Sequence, residues 1–241
     1  MRDQLTLLPG WALGEAALEP LLDALHEQAP HLTVRIEPLP HAADPAAWLD
    51  ELDARLPVEG WLGGWSLGGM LAAELAARRG ETCRGLFTLA ANACFRQRED
   101  WPCAMPTRVF EDFFEAFLLE PELTRKRFTL LVSQGARDAR TLARQLQVCL
   151  PALEPEALSA GLQLLGSLDT REALARYAGP QLHLFAGRDA LVPVAAAEAL
   201  LQTLPDVEVS TLPEASHGLP LERPDEVAAA LLQFMREGGD D

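Results

Sequence analysis

The sequence predicts an α/β fold with a mostly parallel sheet, helices on both faces and an inserted helical lid. Three observations predict it. Short apolar segments alternate with helix-patterned segments over residues 1–93 and again over 177–241, the alternation that builds parallel sheets. From 94 to 176 helical patterning continues without a convincing strand, so this stretch is the expected lid and the flanking segments the core. One strand runs into a helix through a glycine-rich turn, Gly63-Gly64-Trp65-Ser66-Leu67-Gly68-Gly69.

In chain order, Leu5–Leu8 reads as a short buried strand closed by Pro9-Gly10. A helix is expected from Gly14 to Gln28, because Ala17, Leu18, Leu21, Leu22 and Leu25 recur at helical spacing. Leu32–Ile36 alternates like a strand and ends at Pro38-Leu39-Pro40. Ala43–Leu56 reads as helix, Gly60–Trp65 as strand, and Leu67–Arg79 as a helix stopped by Gly80. Gly85–Leu89 is the next strand. The lid helices are expected near Arg108–Leu118, Glu122–Gln134, Ala136–Cys149 and Pro155–Gly166. Strand Gln181–Ala186, helix Val194–Leu204, strand Val207–Leu212 and helix Pro224–Arg236 complete the core. Residues 238–241, Gly-Gly-Asp-Asp, are expected to fray.

Composition narrows the function. The chain has 241 residues, 49% of them hydrophobic, which suffices for a real core. Its net charge of −16 disfavours nucleic acid and anionic membranes as partners. No apolar run approaches the roughly 18 residues of a membrane span, and the start of the chain does not read as a secretory leader. A cytoplasmic location is therefore expected. Cys83, Cys94, Cys103 and Cys149 form no CxxC pair or metal-ligand spacing, so they read as reduced thiols and no metal or cofactor is expected.

Gly64-Trp65-Ser66-Leu67-Gly68 is a G-x-S-x-G sequence. In the α/β-hydrolase fold this pattern places a serine on a tight strand-to-helix turn, with its hydroxyl projecting from the sheet edge. The glycines remove β-carbons that would clash there. An apolar strand precedes the pattern and an alanine-rich helix follows it, as the turn requires. Such a serine needs a base and an orienting acid, which in this fold follow in the order Ser, Asp or Glu, His. His217, just after the last strand, is the one suitably placed histidine. His183 lies inside a strand and reads as structural, whereas His26, His31 and His41 precede the serine and read as surface residues. Asp189, in the loop leaving strand Gln181–Ala186, is the candidate acid. Asp169 in the lid and Asp206 in a turn at the opposite sheet edge are poorer choices. Two backbone N–H groups must stabilise the oxyanion. Leu67, after the serine, and Trp11, in the loop Pro9–Ala12, are the candidates.

Leu7-Leu8-Pro9-Gly10-Trp11, the 63–69 block, Cys94-Phe95 with Glu99-Asp100-Trp101-Pro102, and Ala186-Gly187-Arg188-Asp189 through Val192-Pro193 fall in order. Together they resemble the pimeloyl-[acyl-carrier protein] methyl ester esterases of biotin synthesis, over nearly the whole chain. The resemblance implies hydrolysis of the methyl ester of a pimeloyl chain on acyl-carrier protein, through an acyl-enzyme on Ser66. It also implies an acyl channel lined by Trp11, Leu67 and the lid residues Phe128, Thr129, Leu130, Leu131 and Val132, beside Ser66 and His217. Phe128, Leu130 and Leu131 read equally as ordinary lid packing. The chain departs from the family pattern in three places. The segment before Pro9 is short, so the sheet is expected to lack the family's first strands. Pro9 stands where a histidine is usual, and Glu37-Pro38-Leu39-Pro40 lacks the usual Asp and Gly.

Charge is unevenly placed. Arg125, Lys126, Arg127, Arg137, Arg140 and Arg144 face only Asp138 between 125 and 144. Arg137, Arg140 and Arg144 are spaced to share a helix face. Arginine suits phosphate and carboxylate partners, so Arg127, Arg140 and Arg144 are candidates for docking an acidic carrier protein. A solvated helix face is the alternative. A general short-chain carboxylesterase or thioesterase would use the same three residues. A non-catalytic scaffold binding a small ligand is a further reading, against which the complete Ser66, Asp189 and His217 set argues. A monomer is expected.

Overall fold

The computed structural model describes residues 4–204 and 206–238. The expected fraying of 239–241 lies outside the described residues. Six strands form one parallel sheet in the order β2-β1-β3-β4-β5-β6. They are β1 Gln4–Leu8, β2 Thr33–Ile36, β3 Gly60–Trp65, β4 Cys83–Leu89, β5 Gln181–Ala186 and β6 Glu208–Leu212. Every residue of β5 is buried, and all of β3 except Gly60. Because side chains alternate in direction along a strand, this requires cover on both faces of the sheet.

Helices supply the cover. α1 (Glu19–Gln28) packs against α11 (Pro224–Glu237), and α3 (Leu67–Arg79) packs on β3 and β4. α2 (Trp48–Arg55) and the short α8 (Arg171–Arg176) lean on α3. α9 (Ala195–Thr203) precedes and packs on β6, and α10 (Leu219–Glu222) precedes α11. Two helices start later than their apolar pattern suggests. Pro20 and Pro45 lack an N–H and suit the first turn of a helix. Residues 15–17 and 45–47 instead form single 3₁₀ turns ahead of α1 and α2.

Between β4 and β5 the chain forms α4 (Thr107–Leu119), α5 (Pro121–Ser133), α6 (Ala139–Val148), α7 (Pro155–Ser167) and α8, and no sheet strand. The way into this block and the way out are joined by Arg171. Its guanidinium grips Asp169 through two hydrogen bonds of 2.8 and 2.6 Å, reaches Asp100 at 2.8 Å and lies over the Trp101 ring. The Trp101 indole in turn donates to Asn92 at 3.0 Å. α6 begins at Ala139 because the Asp138 carboxylate caps it, accepting from the Thr141 N–H at 3.0 Å.

The sheet order places β1 and β3 side by side although β2 separates them in sequence. Chain order reverses there, and the loops beyond the carboxyl ends of β1 and β3 open a crevice. No helix among the described residues is long and apolar enough to cross a membrane.

His183 is fully enclosed between β4 and β6 and takes no part in that crevice. Its Nδ1 meets the Thr88 hydroxyl at 2.7 Å and its Nε2 meets Gln181 Oε1 at 3.3 Å. Burial pushes its pKa down to about 3. The unfolded chain therefore binds a proton below about pH 6.5 that the folded chain refuses. The stability tied to neutral His183 is complete above that pH and is lost as pH falls toward 3. Denaturant unfolding should show about 2 kcal/mol of this loss between pH 7 and pH 5, and His183→Gln should flatten the pH dependence by that amount. An equal slope in the variant would contradict the assignment.

Candidate active site

The turn after β3 is built by mutual approach of glycines. A β-carbon on Gly64 would strike the backbone of Gly68, and one on Gly68 would strike the Leu8 and Pro9 carbonyls. Only residues without side chains let α3 start this close to β1 and β3. Between these glycines Ser66 adopts φ 56°, ψ −119°, a conformation that costs a residue with a β-carbon energy. The Ser66 N–H donates to the Leu89 carbonyl at 2.9 Å and its carbonyl accepts from Gly69 and Met70, which locks the turn to β4 and α3.

The loop after β1 lies against the serine. A β-carbon on Gly10 would sit 3.5 Å from that of Ser66. The next residues turn sharply, with Ala12 at φ 57°. The backbone N–H groups of Trp11 and Leu67 enter no hydrogen bond among the described residues. They are free donors at a helix start and a tight loop, the places from which anions are held.

Asp189 follows β5 and His217 follows β6. The two loops are stitched together: Gly187 N–H donates to Leu212 at 2.8 Å and Arg188 N–H to Ala215 at 2.9 Å. One Asp189 oxygen accepts from the N–H groups of Leu191 and Val192 at 2.7 and 2.9 Å. The other meets His217 Nδ1 at 2.7 Å, with both side chains 1% exposed. A carboxylate accepts only, so Nδ1 carries a proton, and in the neutral imidazole Nε2 is then the acceptor. Nε2 is buried and has no hydrogen-bond partner. The Trp65 indole, one residue before Ser66, donates to the His217 carbonyl at 2.8 Å and ties the histidine loop to the serine turn. Ser66 and His217 are themselves only 5% and 1% exposed, so the site is shut from solvent.

Asp169 belongs to the Arg171 network, and His26, His31 and His41 lie on the surface. Burial pushes the Cys94 thiol up to about 12, which leaves it protonated and a poor nucleophile. No cluster of His, Cys, Asp or Glu among the described residues could hold a metal ion.

The expected channel residues divide. Trp11, Phe128, Leu131 and Leu191 line an apolar cavity of about 40 Å³ with Phe113 and other lid side chains. The Trp11 ring makes edge contacts with Phe113, Phe117 and Phe128 at 4.9 to 5.7 Å, and its indole N–H is spent on the Leu158 carbonyl. Thr129, Leu130 and Val132 do not line this cavity. The Thr129 hydroxyl donates to the Lys126 carbonyl at 2.8 Å, Leu130 is 55% exposed, and Val132 packs beneath Gly218. Leu67 is wholly buried at the start of α3 and reaches the site through its backbone.

Arg127, Arg140 and Arg144 are exposed, as are Lys126 and Arg137, and none of the five forms an ion pair among the described residues. Two details of the expected patch change. Arg125 is 3% exposed, its guanidinium turned inward to Glu122 and the Pro151 carbonyl. Arg137 precedes the Asp138 cap, so it lies beside α6 rather than on its face. Sequence reasoning missed Ser216 and Glu222, which hold the histidine loop; no motif or periodicity marks them.

These features are those of the alpha/beta hydrolase family, and the chain belongs to it: the family's sequence model matches residues 7–230. Within that family the chain is similar to pimeloyl-[acyl-carrier protein] methyl ester esterases. It is 34% identical to the one from Aromatoleum aromaticum, over 98% of this chain and 99% of that protein. It is 36% identical, over 97% of its length, to the biotin biosynthesis bifunctional protein BioHC of Cellvibrio japonicus, of which it spans about half, 47%. An esterase from Exiguobacterium antarcticum superposes with a TM-score of 0.82 at 17% identity, over 97% of this chain and 92% of that one, and shows the shared fold.

Proposed function

We propose that this chain is a serine carboxylesterase that hydrolyses the methyl ester of pimeloyl-[acyl-carrier protein] in biotin synthesis. The observation that carries the chemistry is the Asp189–His217 pair, with His217 Nε2 unpartnered and the loop tied to the strained Ser66 turn. Similarity to the named esterases along the whole chain supports the substrate.

Ser66 Oγ attacks the ester carbonyl carbon while His217 Nε2 takes its proton. Asp189 holds the ring through Nδ1 and stabilises the imidazolium. The N–H groups of Leu67 and Trp11 receive the oxyanion. Collapse expels methoxide, which His217 protonates to methanol, leaving the acyl group on Ser66. Water, deprotonated by His217, attacks the acyl-enzyme, and collapse frees the pimeloyl carboxylate and restores the serine. Ser66 Oγ and His217 Nε2 share no hydrogen bond in the closed site, a contact that in this class tightens when substrate binds. A cavity of about 40 Å³ holds little more than a single water, so α4 and α5 must part from Trp11 to admit an acyl chain. Residues 94–176 act in this reading as a lid.

The acidic carrier docks on the lid. Lys126, Arg127, Arg137, Arg140 and Arg144 supply unpaired positive charge on a chain of net −16. The exposed Leu130 and Val148 lie between and beside them, which gives a carrier helix apolar as well as ionic contact.

Methanol release from pimeloyl-carrier-protein methyl ester should be fast with wild type and fall about 10⁴-fold or more in Ser66→Ala. Ser66-dependent cleavage of p-nitrophenyl butyrate without any methanol release would keep the esterase and discard the carrier substrate. Arg140→Glu with Arg144→Glu should slow cleavage of the carrier-bound ester about tenfold or more at low salt, spare p-nitrophenyl butyrate, and lose its effect as salt screens the patch. Unchanged rates on both substrates would contradict the docking surface.

A further inference from the structure

His217 lies in a loop, and loops hold position only as well as their hydrogen bonds allow. Besides the Trp65 indole on the His217 carbonyl, one carboxylate supplies two of them. Glu222, at the end of α10, accepts with Oε2 from both the backbone N–H of Ser216 at 2.8 Å and the Ser216 hydroxyl at 2.7 Å. The same hydroxyl oxygen accepts from the Gly218 N–H at 3.2 Å. Glu222 thus holds Ser216, and Ser216 shares the Gly218 N–H with the Val132 carbonyl. The other oxygen, Oε1, accepts from the Arg137 N–H at 3.2 Å, in the turn between α5 and α6. The end of α5 and that turn each meet the site once more. The Val132 carbonyl accepts from Gly218 N–H at 3.1 Å. Gly135, at φ 95°, packs so close to the Arg188 carbonyl, beside Asp189, that a β-carbon would collide with it.

We propose that Glu222 is a positioning residue for the reaction: through Ser216 it sets His217, and through Arg137 it joins His217 to the turn that precedes the arginine-bearing helix α6. The proposal rests on the reading of His217 as general base. Its chemistry is specific. An ionised carboxylate can accept from Ser216 on one oxygen and from Arg137 on the other. Glutamine replaces one acceptor by an NH₂ donor, which must then oppose either Ser216 or Arg137. Aspartate keeps both acceptors on a shorter stem. A shift of the ring by a fraction of an ångström is costly for a base that must meet Ser66 in line.

The test is steady-state hydrolysis of p-nitrophenyl butyrate by the full chain, with kcat expressed per active site titrated by a fluorophosphonate. Glu222→Gln should lower kcat roughly ten- to hundredfold with KM little changed. Glu222→Asp should recover part of the loss. Ser216→Ala, which removes one hydroxyl and leaves the backbone contact, should fall between wild type and Glu222→Gln. A wholly structural role would lower the titratable fraction and the melting temperature while leaving turnover per titrated site at the wild-type value. That outcome in Glu222→Gln and Ser216→Ala, with activity lost in His217→Ala, overturns the positioning role and leaves the base assignment intact. Wild-type turnover in His217→Ala would overturn the base assignment, and the proposal with it.

Discussion

The backbone conformation of Ser66 is the constraint on which the rest depends. A residue with a β-carbon at φ 56°, ψ −119° costs on the order of 1–3 kcal/mol. It persists because its neighbours leave no alternative. β3 ends where Trp65 pairs with Leu89, α3 must start at once to pack on β3 and β4, and Gly64 and Gly68 close the gap between them. The strain is held by the sheet, not by the turn. Its effect is to aim one hydroxyl and one backbone N–H out of the carboxyl edge of the sheet.

The other parts of the site converge on that edge because parallel strands bring all their carboxyl ends together. β1 delivers the loop with Gly10 and Trp11, β5 delivers Asp189 and β6 delivers His217. Each loop is fixed to its neighbour: Gly187 and Arg188 to the β6 loop, Trp65 to His217, and Ser216 to Glu222. The helical block then closes the site from above. Its aromatic side chains pack edge-on against Trp11, its helix α5 accepts from the histidine loop through Val132, and its α5–α6 turn bonds to Glu222. The segment that covers the site is thus also joined to the His217 loop, and it carries exposed cations that form no ion pair among the described residues.

Much of this was legible in the sequence, for identifiable reasons. The serine turn is encoded by glycines whose absence of side chains is itself the structural requirement. Asp189 and His217 are marked by their position after strands, and the parallel sheet by simple alternation. Other features depend on information that periodicity does not hold. Five consecutive residues, Phe128 to Val132, were expected to line the acyl channel, but a helix turns 100° per residue and consecutive side chains cannot share a face. Phe128 and Leu131, three apart, face the cavity, while Leu130 points to solvent. Arg125 sits in a run of cations yet turns inward, because its partner, the Pro151 carbonyl, is remote in sequence. Glu222 is hidden for the same reason: its bonds to Ser216 and Arg137 follow from folding alone.

The central claim is that a strained serine is made nucleophilic by a histidine delivered from a separate loop. Mass spectrometry of the chain after brief exposure to a fluorophosphonate tests it most directly. A single adduct on Ser66 in wild type, formed at least a hundredfold more slowly in His217→Ala of unchanged melting temperature, is the predicted result. An adduct on another residue, or equal labelling of Ser66 with and without His217, would contradict it.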